Sequence, residues 1–135
     1  MSRIIINTDG GSRGNPGPGA IGFVVCKDDQ EIHRAGKCIG KTTNNQAEYL
    51  AVLEALLYLE KKEIGQGEVV FKIDSELVVK QLNGEYKVKD EKLKPLFLKI
   101  REKIIGLGVK ISFVHIRREQ NKIADSLVNQ ALDEQ

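Results

Sequence analysis

Residues Ile4 to Ala20, IIINTDGGSRGNPGPGA, place a carboxylate at the end of a β-branched run and follow it with a loop dense in glycine and proline. The isoleucines suit a pleated, buried strand, and period-two alternation puts Asp9 on the same side as Ile5 and Asn7. Gly10, Gly11, Gly14, Gly17 and Gly19 allow positive φ or a close backbone approach, while Pro16 and Pro18 stiffen the loop. A strand stopping at Asp9 and turning tightly would explain the stretch by itself, because turns favour Gly, Pro, Asn and Asp in any protein. Three further carboxylates downstream shift the weight toward a functional site.

The chain beyond that loop alternates strand and helix patterns. Ala20 to Lys27 is a second strand, joined through Asp28, Asp29 and Gln30 to a weaker third at Glu31 to Gly40, giving an antiparallel meander. Thr42 to Asn45 offers several caps for a helix from Gln46 to Lys62, a segment rich in Ala, Leu and Glu without Gly or Pro. Glu68 to Asp74 is a short strand, and Ser75 caps a brief helix, Glu76 to Leu82. Lys87 to Lys94 is a charged connection into a helix from Pro95 to about residue 105, with Leu96, Ile100 and Ile104 on one stripe. Val109 to Ile116 alternates as a strand, and Asn121 to Leu132 makes a last helix with Ile123, Leu127 and Ala131 in line. Helices between strands require right-handed parallel crossovers, so the expected fold class is α/β with a mixed sheet.

At 135 residues the chain suits one domain, residues 1–135, burying roughly two-thirds of its unfolded surface. No apolar run approaches the ~20 residues that span a bilayer, and the N-terminus lacks a basic segment followed by an apolar one, so no membrane association and a cytoplasmic location are expected. Net charge of +2 is too mild to imply nucleic acid by itself, although 21 basic residues could gather on one face. The strand register expected here pairs Cys26 with about residue 33, which leaves Cys38 roughly 16 Å away at ~3.3 Å per residue, beyond disulfide reach. Both are read as free thiols of a reducing compartment.

Glu48 is expected in the first turn of the long helix, on a face shared with Ala51, Val52, Ala55 and Leu59. A capping box with Asn45 as N-cap would account for it, and so would a carboxylate facing a metal. Asp74 ends its strand as Asp9 ends the first, either as a helix cap or as part of an acidic pair at the carboxyl ends of neighbouring parallel strands, where ligands gather in α/β sheets. Asp125 lies early in the last helix, as a solvated residue or near the same edge. Together these hard oxygen donors suit Mg²⁺ or Mn²⁺, and two such ions ~3.5–4 Å apart can promote phosphodiester hydrolysis. No Ser occupies a GxSxG elbow, no CxxC or HExxH spacing indicates zinc, and the glycine-rich loop is neither a P-loop nor a dinucleotide fingerprint.

Four segments, TDGGSRGNPGPGAIGFV, TTNNQAEYLAVLEAL, FKIDSELVVKQL and VHIRREQNKIADSLVNQA, resemble in order and spacing the signature segments of the type 1 ribonuclease H family, nearly end to end. The resemblance implies a five-stranded mixed sheet, three strands antiparallel plus two parallel, with helices on both sides. It also implies cleavage of the RNA strand of RNA–DNA hybrids with two Mg²⁺ ions, Mn²⁺ being a substitute, to leave 5′-phosphate and 3′-hydroxyl ends. Carried over by position, Asp9, Glu48, Asp74 and Asp125 hold metal, and His115 assists proton transfer and product release. Asn15, Asn44 and Asn45, with the main chain of Gly10 and Gly11, match minor-groove contacts, Thr43 a phosphate pocket, and Glu76 stands where many relatives have Gln beside the RNA backbone. Such contacts read 2′-hydroxyls and shape.

Between Leu82 and Leu96 the chain departs from relatives that carry a tryptophan-bearing basic handle, since it has no Trp. A substitute grip must come from Lys80, Lys87, Lys89, Lys92, Lys94 and Tyr86, giving modest, salt-sensitive affinity. The expected form is a monomer without an obligate protein partner. Two alternatives stay open: a catalytically weak nucleic-acid-binding module of the same fold, and a nuclease of that fold preferring double-stranded RNA.

Overall fold

A computed structural model describes residues 3–135. Three antiparallel strands, β1 (Arg3–Ser12), β2 (Gly17–Lys27) and β3 (Gln30–Thr42), lead into helix α1 (Asn44–Lys61). Strand β4 (Glu68–Ile73), helices α2 (Glu76–Leu82) and α3 (Lys94–Leu107), strand β5 (Lys110–His115), a single 3-10 turn at Arg118–Gln120 and helix α4 (Lys122–Asp133) follow. The five strands form one mixed sheet in the order β3-β2-β1-β4-β5, with β4 parallel to both β1 and β5. The α/β class, the strand count and the element order agree with expectation.

Alternation sorts the sheet into two faces. Ile4 and Ile6 of β1 sit level with Val25 of β2 and Val69 and Phe71 of β4, and this face forms the main core with Tyr49, Val52, Leu56 and Leu59 of α1 and Ile100 of α3. The opposite face carries Ala20, which clusters with Val128 and Leu132 of α4. Glycine sets the spacing on each side. A Cβ at Gly10 would run into the Ala47 carbonyl of α1, and one at Gly22 would lie 2.6 Å from the Ala124 carbonyl of α4. Gly10→Ala is therefore expected to lower unfolding free energy by about 2–3 kcal/mol, the upper range for overpacking, because the obstacle is backbone. Urea unfolding checks this, and an unchanged midpoint would mean that α1 has room to retreat.

Several expectations need correction. β1 does not end at Asp9 but continues through Ser12, because Gly10, Gly11 and Ser12 pair with Ile21, Ala20 and Gly19. β2 accordingly begins at Gly17, within the stretch expected to be loop. Cys26 lies opposite Glu31 instead of residue 33, since the turn tightens to Asp28 and Asp29 and the register shifts beside Cys26; both cysteines are nonetheless free thiols. On α4 the inward stripe is Ala124, Val128 and Leu132, while Ile123 is exposed. The close approach to Gly22 and Gly36 decides this orientation, for at both glycines the α4 backbone leaves no space for a side chain. Residues 83–93 carry neither helix nor strand, as the charged connection suggested.

Candidate active site

Register brings the acidic residues to one edge. Thr8 of β1 lies beside Ile73 of β4, and Ile73 beside His115 of β5, so Asp9 and Asp74 are the next residues on adjacent parallel strands. Glu48 arrives from above, because the missing side chain of Gly10 lets the start of α1 settle onto β1. A carboxylate oxygen from each of Asp9, Glu48 and Asp74 lies within 4.8 Å of the others. Asp125, in the first turn of α4, faces the same cleft of about 430 Å³, which also contains Arg13, Asn44 and Arg118 on its walls.

The capping alternative for Glu48 fails. Thr43 is the N-cap of α1: Gln46 donates its main-chain N–H to Thr43 Oγ1 at 3.1 Å, and Thr43 donates its own to Gln46 Oε1 at 3.0 Å. The helix therefore begins at Asn44, which leaves Glu48 just past the first turn and free of any capping duty. It is 8% exposed, and its Oε2 is buried without a hydrogen-bond partner. A buried carboxylate oxygen left unpaired is costly, and native proteins rarely keep one without a ligand to satisfy it.

Crowding shows in the proton affinities. Burial, reinforced by the Asp74 and Asp125 charges, pushes the Asp9 carboxyl from 3.8 up to about 7, against the lowering effect of a hydrogen bond with Glu48. Burial also pushes Glu48 well above the ordinary glutamate range, with the Asp9 and Asp74 charges adding to it. Desolvation and like charge both oppose ionisation, and a divalent cation would remove both penalties at once. Three converging carboxylates with one orphaned oxygen fit such an ion by donor chemistry, since Mg²⁺ and Mn²⁺ take oxygen ligands.

Other sequence candidates occupy the rim. Asn15 Oδ1 accepts the main-chain N–H of Asn44 at 3.0 Å, and Asn44 Oδ1 accepts that of Ser12 at 3.0 Å, locking the loop onto the start of α1. Asn45 is exposed beside them. Thr43 Oγ1 accepts the Gln46 N–H at the cap and keeps its proton to donate. Gly11 is partly open, whereas Gly10 is enclosed under α1. His115 closes β5 outside the cleft lining, half-exposed, with Nδ1 3.9 Å from Glu76 Oε2. Lys80 lies over the Tyr86 ring at 5.0 Å, while Lys87, Lys89 and Lys92 are exposed and Lys94 pairs with Glu91 at 3.0 Å.

Sequence reasoning missed Asn121. Although it occupies the N-cap position of α4, its side chain makes no capping bond and turns inward, 1% exposed. Its Nδ2 donates to the Thr8 carbonyl at 2.8 Å and to Asp74 Oδ2 at 3.0 Å, and its Oδ1 accepts from Asn7 Nδ2 at 3.1 Å. The available signal was an asparagine at a helix start, which reads as an ordinary cap.

Known proteins share this arrangement of chain. Residues 7–131 match the family described as "Reverse transcriptase-like". Ribonuclease HI of Halobacterium salinarum is 41% identical over 133 residues, which make up 98% of this chain and 65% of that protein. The bifunctional protein Rv2228c of Mycobacterium tuberculosis is 35% identical over 133 residues but 36% of its length is covered, so the chain spans less than two thirds of either curated relative. The crystal structure of LC11-RNase H1 in complex with RNA/DNA hybrid superposes with a TM-score of 0.93 at 46% identity, covering 97% of each chain. With the family match over residues 7–131, and a fold shared at a TM-score of 0.93 and 46% identity over 97% of each chain, the chain belongs to the type 1 ribonuclease H family.

Proposed function

We propose that this chain is a metal-dependent endoribonuclease that hydrolyses the RNA strand of RNA–DNA hybrids, leaving 5′-phosphate and 3′-hydroxyl ends. The observation that carries the reading is the convergence of Asp9, Glu48 and Asp74, with an unpaired buried oxygen on Glu48, in a chain of this family. Asp9, Glu48, Asp74 and Asp125 would hold two Mg²⁺ ions, with Mn²⁺ as a substitute. Divalent ions there supply Lewis acidity, lowering the pKa of an attacking water and neutralising charge at the departing oxygen. The chain's own part is to present those carboxylates ionised: Asp9 and Glu48, protonated more readily than usual, must release protons as metal enters.

The rim then selects the substrate. Asn15, Asn44 and Asn45 offer side-chain amides, and Gly11 its main chain, to the sugar edges of a duplex, reading 2′-hydroxyls and shape. Thr43 offers its hydroxyl proton to a phosphate, and Glu76 stands near the RNA backbone. Lys80 and Tyr86, already in contact, are the core of a reduced grip on the DNA strand. In this reading residues 3–135 act as a monomeric ribonuclease H domain in a reducing, cytoplasmic setting suited to the free thiols.

The deciding experiment uses strand-labelled RNA–DNA, RNA–RNA and DNA–DNA duplexes in Mg²⁺, Mn²⁺ and EDTA. Cleavage confined to the RNA strand of the hybrid, and lost in EDTA, is the expected result. No cleavage of any duplex would reduce the chain to a binding module, while preferred cutting of RNA–RNA would follow from the shortened segment before α3.

By its position in the family pattern His115 is assigned proton transfer and product release, and its half-exposed place at the end of β5 leaves its ring accessible to solvent. His115→Ala should slow multiple turnover by roughly 10–100-fold, toward the low end of general acid–base contributions, and slow a single turnover less. Equal loss in both assays would return His115 to a structural role.

A further inference from the structure

The amide of Asn121 has only one orientation that works. Its two Nδ2 protons go to the Thr8 carbonyl and to Asp74 Oδ2, and its Oδ1 receives a proton from Asn7 Nδ2. Turned over, the amide would set Oδ1 against a carbonyl and a carboxylate, and would set its NH₂ against that of Asn7. The main-chain carbonyl of Asn121 meanwhile accepts the N–H of Asp125 at 3.1 Å. One buried residue thus touches the strand immediately before Asp9, the carboxylate of Asp74 and the backbone of Asp125. An asparagine at a helix start ordinarily spends its oxygen on the free N–H groups of the first turn. Here that oxygen is spent on Asn7, on β1 beneath the cleft.

We propose that Asn121, oriented by Asn7, is a positioning residue that fixes the rotation of the Asp74 carboxylate and ties the stretch of β1 before Asp9 and the end of β4 to the start of α4. The inference rests on reading Asp74 as a metal ligand. Hydrogen-bonded partners behind a ligand hold it in the geometry a metal requires, and their loss typically lowers metal affinity 10–100-fold. Without the Asn121 proton, Asp74 is free to rotate toward solvent, away from Asp9 and Glu48. Asn7 acts only through Asn121, so its contribution disappears once Asn121 is gone.

The test measures Mn²⁺ binding to the protein alone, by calorimetry, for the wild type, Asn121→Ala, Asn7→Ala and the double variant, with thermal unfolding alongside. Asn121→Ala should weaken Mn²⁺ at least about tenfold, and Asn7→Ala should weaken it less. The double variant should match Asn121→Ala, because two residues acting in series are not additive. A purely structural asparagine would lower the melting temperature and leave Mn²⁺ affinity unchanged, and that result overturns the proposal. If Asn121→Ala does not fold, unchanged affinity in Asn7→Ala overturns it equally. A wild type that binds no Mn²⁺ also overturns it. A wild type that binds Mn²⁺ yet cuts no hybrid would sink the proposed activity while the positioning role is still decided by the binding data.

Discussion

Asp9→Asn and Asp74→Asn should each reduce RNA-strand cleavage by a thousandfold or more while hybrid binding stays within a few-fold of wild type. Metal-supplied charge stabilisation is worth several kcal/mol at the transition state, and each ~1.4 kcal/mol is tenfold in rate. Asn preserves the shape of Asp but offers a neutral amide where an ionised oxygen is needed, so the loss falls on the chemical step. The residues proposed to bind hybrid, Asn15, Asn44 and Asn45, lie on the rim, and the hydrogen bonds of Asn15 and Asn44 involve neither Asp9 nor Asp74. Asp125→Asn should cost less, because Asp125 lines the cleft without joining the three oxygens that lie within 4.8 Å of one another. Single-turnover cleavage in saturating Mg²⁺ and hybrid binding in Ca²⁺ give the two readings. Wild-type turnover by both Asp9→Asn and Asp74→Asn would remove the proposed site.

The same crowding sets the second large effect, on stability without metal. The folded protein keeps a proton on Asp9 up to about pH 7, whereas the unfolded chain releases it near 3.8. Between those values the native state binds more protons, so stability falls as pH rises through that window. Asp9→Asn carries no such proton, and in EDTA it should be the more stable protein by about 0.5–2 kcal/mol near neutrality, with the difference shrinking toward pH 4. Mg²⁺ should then raise the melting temperature of wild type more than that of Asp9→Asn, because the ion binds the assembled native carboxylates and not the dispersed ones of the unfolded chain. Thermal unfolding of both proteins across pH, in EDTA and in excess Mg²⁺, checks sign and window together. An Asp9→Asn protein less stable than wild type in EDTA, with equal shifts in Mg²⁺, would make Asp9 a structural turn residue.

Local pattern carried most of the architecture. The β-branched alternation around Ile4–Ile6, the Ala- and Leu-rich run of α1 and the Ser75 cap of α2 are short-range signals that tertiary contacts reinforce. Where the structure departs, a distant partner decides. Gly10–Ser12 have little strand propensity and extend β1 only because β2 folds back alongside. Hydrophobicity alone would turn Ile123 inward, but glycines on two other strands draw the α4 backbone so close that small Ala124 takes the place. The run Thr42–Asn45 contains four residues able to cap, and composition could not choose Thr43 among them.

For the proposed site, Asp9 and Asp74 stood out because the sequence reads both as strand ends, although β1 runs on to Ser12, and Glu48 because it shares an apolar helix face; Asp125 read equally well as solvated until the family resemblance singled it out. Asn121 was not visible. Its partners lie 114 and 47 residues away in the chain, and nothing about an asparagine before a helix announces them.

Helix α4 also gives the cleft a history in time. The ribosome completes Asp9, Glu48 and Asp74 well before it reaches Asn121 and Asp125, and α4 must settle on strands made at the outset. A growing chain therefore owns three of the acidic groups during synthesis but has neither the amide that orients Asp74 nor the fourth carboxylate. The acidic cleft is complete only once α4 docks, bringing the Asn121 amide to Asp74 and setting Asp125 on the cleft wall.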